Sequence, residues 1–316
     1  MHNPLPQDLK QTIVFEWSDF EQYIFAKEEM RWSARFESGK FRINLAKGYP
    51  SVSIFIESKI SNKELDELAR NGTRYIAIRG AGHDMLDIEY AKSIGIGVYF
   101  VASYSPESIA EHAFALLLNL VRKLNIERRH HASLQHIRTI QSMGTTLKGK
   151  RIGLYGVGRI GSVMAKIADG FSMEVGFYDK YVDALLAATK LNSLAELFQQ
   201  CDIVSIHVPL TPETEQSVNA DILAQAKPGL ILLNTARGDI IDDQAVLHAL
   251  DKGIIAGLGV DVWDSGKVDD KFDARLYRDN VIQTHHIAFF TYEAVKEIVK
   301  QTILNLQGEG DPRNTL

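Results

Sequence analysis

The hexapeptide Gly156-Val157-Gly158-Arg159-Ile160-Gly161 has the spacing G-x-G-x-x-G, which serves phosphate binding. The first glycine permits a tight turn, the second lets backbone approach a pyrophosphate, and the third lets the next helix pack close to its strand. Lys150 to Tyr155 reads as that strand, and the segment through Val163 to Ala168 reads as that helix, its N-terminal amides facing the phosphates. Arg159 and Ile160 therefore count with the three glycines as cofactor contacts. A second strand, Val175 to Tyr178, ends in Asp179, 18 positions past Gly161, where an acid accepts hydrogen bonds from an adenosine ribose. A carboxylate there repels a 2′-phosphate, so the expected cofactor is NAD rather than NADP. S-adenosylmethionine methyltransferases also use a glycine-rich turn and an acidic ribose ligand, so these residues alone leave two classes open.

Three later strand ends separate the classes. Leu230 to Leu233 reads as a buried strand running out into Asn234-Thr235-Ala236-Arg237-Gly238-Asp239. The run Ile254 to Val260 leads into Asp261-Val262-Trp263-Asp264, and Asn280 to Thr284 leads into His285-His286. Open α/β sheets bind ligands at the carboxyl ends of their strands, so an Arg, an Asp and a His are offered where a substrate would lie. The planar fork of Arg237 suits a carboxylate. A methyltransferase needs neither this Arg nor this His.

These residues carry a resemblance. The chain resembles the D-isomer-specific 2-hydroxyacid dehydrogenases from about Tyr75 to Val295, through Tyr104-Ser105-Pro106-Glu107-Ser108-Ile109-Ala110-Glu111-His112, the glycine turn, His207-Val208-Pro209-Leu210-Thr211, Asn234 to Gly238, and Thr284 to Thr291. The first 50 residues match poorly. The resemblance implies reversible hydride transfer between NADH and a 2-oxo acid, giving a D-2-hydroxy acid. In its terms Arg237 holds the substrate carboxylate and polarises the C2 carbonyl. His286, five residues before Thr291, is the acid–base group, and His285 fills a slot where the family often has Pro. Asp261 orients the nicotinamide carboxamide, Thr214 lies near the adenosine, and Thr235 and Ala236 lie near the nicotinamide ribose. Val208 and Pro209 join the cofactor contacts. The amides of Ala81 and Gly82 bind the substrate carboxylate from the other domain, and Tyr104 and Phe289 line the pocket.

One departure stands out. The family places a Glu five residues after the Asp matching Asp261, paired with the catalytic His, and here that position is Gly266. A carboxylate beside an imidazole raises its pKa. Without one, His286 is expected to titrate nearer the reference of about 6.5. Asp264 is the candidate replacement, with Asp269 or Asp270 on a rearranged loop as others; the opposing reading is a lost dyad with weak or absent turnover. That loss would suit a nucleotide-sensing protein similar to the transcriptional corepressors of this fold.

The elements that must position these groups follow from pattern and composition. Strand runs alternate with helix-period segments, which predicts an α/β fold of two doubly wound, parallel-sheet domains, Rossmann-like and flavodoxin-like. The nucleotide-binding domain, 105–289, is expected as an insertion in a substrate domain formed by 1–104 and 290–316, with closure about hinges near Tyr104 and Phe289. Ser51 to Ile56 and Tyr75 to Ile78 read as strands. Ser61 with Glu64 reads as a capping box between them. Pro106 to Leu124 reads as a long helix, acidic early and basic late. Its run Phe114 to Leu118 is apolar on most sides, so it is expected to be buried between domains or in a homodimer contact.

At 316 residues the chain suits two domains, and 45% hydrophobic with 24% charged residues suits ordinary folded units. The 35 Lys+Arg against 40 Asp+Glu, net −5, leave no basic footprint for nucleic acid. No apolar run approaches the roughly 20 residues of a membrane span. His130, His131 and His136 lack acidic or Cys partners at ligand spacing, so no metal is expected. The single cysteine, Cys201, and a start without a basic-then-apolar leader fit a cytoplasmic protein acting on a small-molecule substrate.

Overall fold

Strand–helix alternation builds two sheets in which every pairing is parallel. The computed structural model describes residues 11–30, 34–55, 58–82, 85–125, 143–185, 187–263 and 274–307. The chain forms two compact units: Met1–Ser105 with Phe290–Leu316, and, inserted between them in sequence, Pro106–Phe289.

The first unit opens with β1 (Thr12–Val14), α1 (Asp19–Lys27), β2 (Arg35–Phe36), α2 (Ile43–Ala46), β3 (Ser51–Ile54), α3 (Asn62–Arg70), β4 (Tyr75–Ile78), α4 (Ile88–Ser93) and β5 (Gly97–Phe100). Its strand order is β2-β1-β3-β4-β5, the flavodoxin-like order, with its switch point between β1 and β3. The capping box of α3 is present: Ser61 Oγ accepts from the Glu64 N–H, and the Glu64 carboxylate accepts from the Ser61 N–H at 2.8 Å. Leu65 and Leu68, one turn apart, are the residues α3 buries.

The inserted unit contains α5 (Pro106–Arg122), β6 (Arg151–Tyr155), α6 (Arg159–Gly170), β7 (Glu174–Tyr178), β8 (Ala188–Lys190), α7 (Leu194–Gln200), β9 (Ile203–Ile206), α8 (Ala220–Leu223), β10 (Leu230–Asn234), α9 (Asp243–Asp251), β11 (Ile255–Val260) and β12 (Val281–Gln283). A final helix, α10 (Tyr292–Gln307), returns to the first unit and packs on α1. The order β12-β11-β10-β9-β6-β7-β8 puts the switch point between β6 and β9. Along β9 and β10 alternate residues enter opposite cores: Val204 and Leu232 belong to one, Ile203 and Leu233 to the other. Burial on both faces explains why these strands read as continuous apolar runs.

The long helix departs from its expected setting. α5 buries Ala110, Ala113, Phe114, Leu116, Leu117, Leu120 and Val121 against β10, β11, β12 and α6 of its own unit. Gly259 in β11 makes room: a Cβ there would lie 3.1 Å from the Leu116 Cβ. Phe114, Leu116 and Leu117 are thus covered within their own unit, whereas Leu118 is half-buried and Ala115 is exposed. The helix also ends earlier than read, because Lys123 adopts φ 53.

Candidate active site

The glycine-rich turn lies where β6 hands over to α6, beside the switch point. Gly156 has φ +91, and its N–H donates to the Tyr178 carbonyl. A Cβ on Gly156 would meet Val208 Cγ1 at 2.8 Å, so Val208 lies against the turn. A Cβ on Gly161 would lie 2.3 Å from the Gly156 carbonyl oxygen. Gly158 differs: nothing lies within 4 Å of the position its Cβ would take. That side of the turn is open beside the first N–H groups of α6, at Arg159, Ile160 and Gly161, which have no partner within the helix.

Asp179 ends β7 and is bound to the turn. Its Oδ2 accepts from the Val157 N–H at 2.9 Å, and its Oδ1 accepts from the N–H groups of Tyr181 and Val182 at 2.8 and 2.9 Å. Partial burial on its own would raise this carboxyl, but the three backbone donors and Lys190 outweigh it and hold the group below the usual carboxylate range. It is therefore ionised at neutral pH, and Oδ2 retains acceptor capacity for a ribose hydroxyl.

At the ends of β9 and β10 two polar atoms are sealed from solvent with no hydrogen-bond partner among the described residues: His207 Nε2 and Thr235 Oγ1. The two residues follow the register pair Ile206 and Asn234 on neighbouring strands. Buried polar atoms of this kind are rare in folded proteins. Together with the open cradle at Gly158 and the ionised Asp179, they fit a dinucleotide laid across the strand ends. Thr214 shapes the loop after β9, its hydroxyl donating to the Pro209 carbonyl at 2.6 Å and accepting from the Thr211 N–H at 2.8 Å.

Burial pushes the His207 imidazole down to about 3. The folded protein therefore holds it neutral while an unfolded chain protonates it near 6.5. Its contribution to stability is complete above that value and is lost as pH falls toward 3, at about 1.4 kcal/mol per pH unit. Thermal unfolding followed from pH 7 to 4.5 should show a shallower decline for His207→Asn than for the wild type. Equal slopes would remove the buried neutral imidazole from the account.

The reaction end is built on β10, β11 and β12, which are consecutive in the sheet. Asn234 is fully buried, and its side-chain amide braces the turn that follows: Nδ2 donates to the Arg237 carbonyl at 2.8 Å and Oδ1 accepts from the Ala236 N–H at 3.0 Å. Arg237 is extended and half-buried, with Nη1 on the Ala236 carbonyl at 2.8 Å.

Asp261, 2% exposed, anchors the loop that carries His286. Its N–H donates to the Asn234 carbonyl at 3.0 Å, and its carbonyl accepts from the His286 N–H at 2.8 Å. Its carboxylate accepts from the Thr284 hydroxyl at 2.5 Å and from the N–H groups of Ile287 and Ala288 at 2.9 and 2.8 Å. His112 on α5 reaches the same hydroxyl, Nε2 to Thr284 Oγ1 being 3.0 Å. Because that hydroxyl gives its proton to Asp261, His112 donates from Nε2. Burial lowers the His112 pKa against the opposing pull of Asp261, so the ring is neutral at pH 7. The loop wraps one carboxylate so closely that His286 takes φ 50, a conformation costly for a side-chain-bearing residue unless its surroundings enforce it. The His286 side chain is exposed, and Phe289, 8% exposed, meets its ring edge-on at 6.2 Å.

The structure thus gathers Arg237, Asp261 and His286 at adjoining strand ends, on the same sheet edge as the glycine turn. Ala81, Gly82 and Tyr104 belong to the other unit and are half-buried there. Asp264, Gly266, Asp269 and Asp270, and likewise His130, His131 and His136, lie outside the described residues. Among the described residues no His, Cys, Asp and Glu group is arranged to hold a metal, and no helix is long and apolar enough to cross a membrane. Three contributors escaped sequence reasoning: Asn234, Thr284 and His112. A polar residue at a buried strand end was the available signal for Asn234.

Comparison with known proteins agrees with this arrangement. The sequence profile described as "D-isomer specific 2-hydroxyacid dehydrogenase, NAD binding domain" matches residues 114–288. D-lactate dehydrogenase of Escherichia coli (strain K12) is 36% identical over 282 residues, covering 83% of each chain. The apo structure of D-lactate dehydrogenase from Escherichia coli superposes with a TM-score of 0.83 at 31% identity, covering 96% of this chain and 99% of that one. The D-lactate dehydrogenase of Aquifex aeolicus, solved with NAD and lactic acid, superposes with a TM-score of 0.84 at 27% identity over 96% and 98% of the two chains.

Proposed function

From the premise that this chain belongs to the D-isomer-specific 2-hydroxyacid dehydrogenase family, we propose that it is an NAD-dependent oxidoreductase interconverting 2-oxo acids and D-2-hydroxy acids. The observation that carries the reading is the bonding of the Arg237 turn and the His286 loop through Asp261, on the sheet edge that bears the glycine turn.

Bound NADH supplies the hydride. The three glycines with Arg159 and Ile160 hold its pyrophosphate, Asp179 the adenosine ribose, Val208, Pro209 and Thr214 the adenosine side, and Thr235 and Ala236 the nicotinamide ribose. Asp261 keeps acceptor capacity on Oδ2 for a carboxamide, although its first task is the loop. Arg237 pairs its fork with the substrate carboxylate and stabilises negative charge on the C2 oxygen. His286 gives a proton to that oxygen during reduction and takes it back during oxidation. Ala81 and Gly82 supply amides for the carboxylate. Among the described residues neither amide has a hydrogen-bond acceptor, which supports that role. Tyr104 and Phe289 line the substrate side. The substrate domain expected at 1–104 and 290–316 corresponds in this reading to the unit Met1–Ser105 with Phe290–Leu316, and the homodimer and cytoplasmic setting expected from sequence belong to the reading as well. Light scattering behind size exclusion checks the dimer.

The test is oxidation of NADH by the purified protein with a panel of 2-oxo acids bearing short, branched and aromatic side chains. Loss of reduced-cofactor absorbance with at least one, and a D-configured product, is expected. No oxidation with any would falsify the enzyme reading. A purely nucleotide-sensing protein is not favoured, since the relatives compared are dehydrogenases and both Arg237 and His286 are present on anchored backbone.

A further inference from the structure

The first unit contains a fully buried ion pair that the reaction scheme leaves unused. Arg79 follows β4 directly and is 0% exposed; Glu21, on α1, is 1% exposed. Arg79 Nε donates to Glu21 Oε1 at 2.8 Å, Nη1 to Ser53 Oγ at 3.1 Å, and Nη2 to the carbonyls of Phe15 and Glu16 at 2.8 and 3.1 Å. The second Glu21 oxygen accepts from the N–H and the hydroxyl of Ser18, so one carboxylate caps α1 and fixes the guanidinium. Trp17 and Phe55 place their rings within 5.9 and 5.5 Å of the guanidinium carbon.

This network occupies the carboxyl ends of β1, β3 and β4, spanning the switch point where open α/β sheets bind ligands. The backbone beside it is tied on both sides. The Arg79 N–H donates to the Ile54 carbonyl at 2.8 Å, and the Gly80 carbonyl accepts from the Val101 N–H at 3.0 Å. Ala81 and Gly82 are the next residues. An apolar side chain of similar volume would fill the space without burying a charge, and a buried pair is weak evidence for stability alone. Five donors in a rigid fork do what packing cannot: they set β4's exit against two other strands at once.

We propose that Arg79, held by Glu21, is a positioning residue that sets the Ala81 and Gly82 amides for the substrate carboxylate. This rests on the dehydrogenase reading above and on the assignment of those amides to the carboxylate.

Arg79→Lys keeps the charge and a partner for Glu21, but a single ammonium cannot reach Glu21, Ser53 and the Phe15 and Glu16 carbonyls together. The expected result is a folded protein with NADH affinity, read by fluorescence, within twofold of wild type. Its KM for the best 2-oxo acid should rise at least tenfold while kcat falls less than threefold. The paired variant Arg79→Met with Glu21→Met, which removes both charges of the pair, should show the same KM rise. A merely structural role would lower the folded fraction and leave KM unchanged in the folded protein, and that outcome overturns the proposal. Hydrogen exchange at the amides of residue 79 and Val101, whose acceptors are the Ile54 and Gly80 carbonyls, provides an arm independent of turnover: at least tenfold faster exchange in Arg79→Lys, with the β3 amides unchanged, is expected. Unaltered protection there also overturns it. If the wild type oxidises NADH with no 2-oxo acid, the functional reading fails and the exchange arm decides the positioning claim by itself.

Discussion

Arg237→Ala and His286→Ala should each lower turnover with a 2-oxo acid by about 10²–10⁴-fold, the range for losing a transition-state donor or a positioned general acid. NADH affinity should stay within a fewfold in both, because neither side chain shapes the glycine turn. The two lesions should differ in form. In its proposed role Arg237 contacts the carboxylate in ground and transition states, so its loss should raise KM and lower kcat together, whereas loss of His286 should fall mainly on kcat. Arg237→Lys sharpens the test: it retains charge but not the fork, and is expected to recover only a small part of the loss. Neither replacement should unfold the chain, since Asn234 braces the Arg237 turn and Asp261 holds the His286 loop through backbone groups. Stopped-flow and steady-state kinetics with fluorescence titration of NADH provide the measurements. A fully active variant of either residue ends its assignment.

The second large effect belongs to the turn. Gly161→Ala places a carbon 2.3 Å from the Gly156 carbonyl oxygen, a backbone atom that cannot swing aside. The turn must open to admit it, so NADH binding should weaken by at least 100-fold and the melting temperature should fall. Gly158→Ala is the informative contrast. Its methyl meets nothing within 4 Å, so the fold should be unaffected. Yet that open side is where backbone must approach a pyrophosphate, and NADH binding should still weaken markedly. Calorimetry and a binding titration on the two proteins separate the effects. Equal behaviour of the two variants would mean that the glycines do not divide the work between packing and ligand approach.

The parts of the site that were legible in sequence are those whose chemistry depends on local spacing. The glycine turn, Asp179 and the strand ends bearing Arg237, Asp261 and His286 all lie within short windows in which strand, turn and helix signals adjoin. What stayed hidden depends on residues far apart in the chain. Arg79 and Glu21 are 58 positions apart, and His112 meets Thr284 across 172. Spacing gives no sign of either pairing. The α5 helix fails for a different reason. Its apolar residues were plain, but periodicity says only that a surface is covered, and the glycines of β11 that let the sheet do the covering lie about 140 residues away. At Asp261 the residue was identified and its surroundings were not: its carboxylate holds three donors of one loop.

That loop carries a consequence for how the protein tolerates change. Two of the donors on the Asp261 carboxylate are main-chain groups, at Ile287 and Ala288, and the His286 N–H is held by the Asp261 carbonyl. The anchor is therefore indifferent to most side-chain identities nearby. The exposed Ile287 side chain can therefore vary under mutation, while the imidazole before it keeps its station.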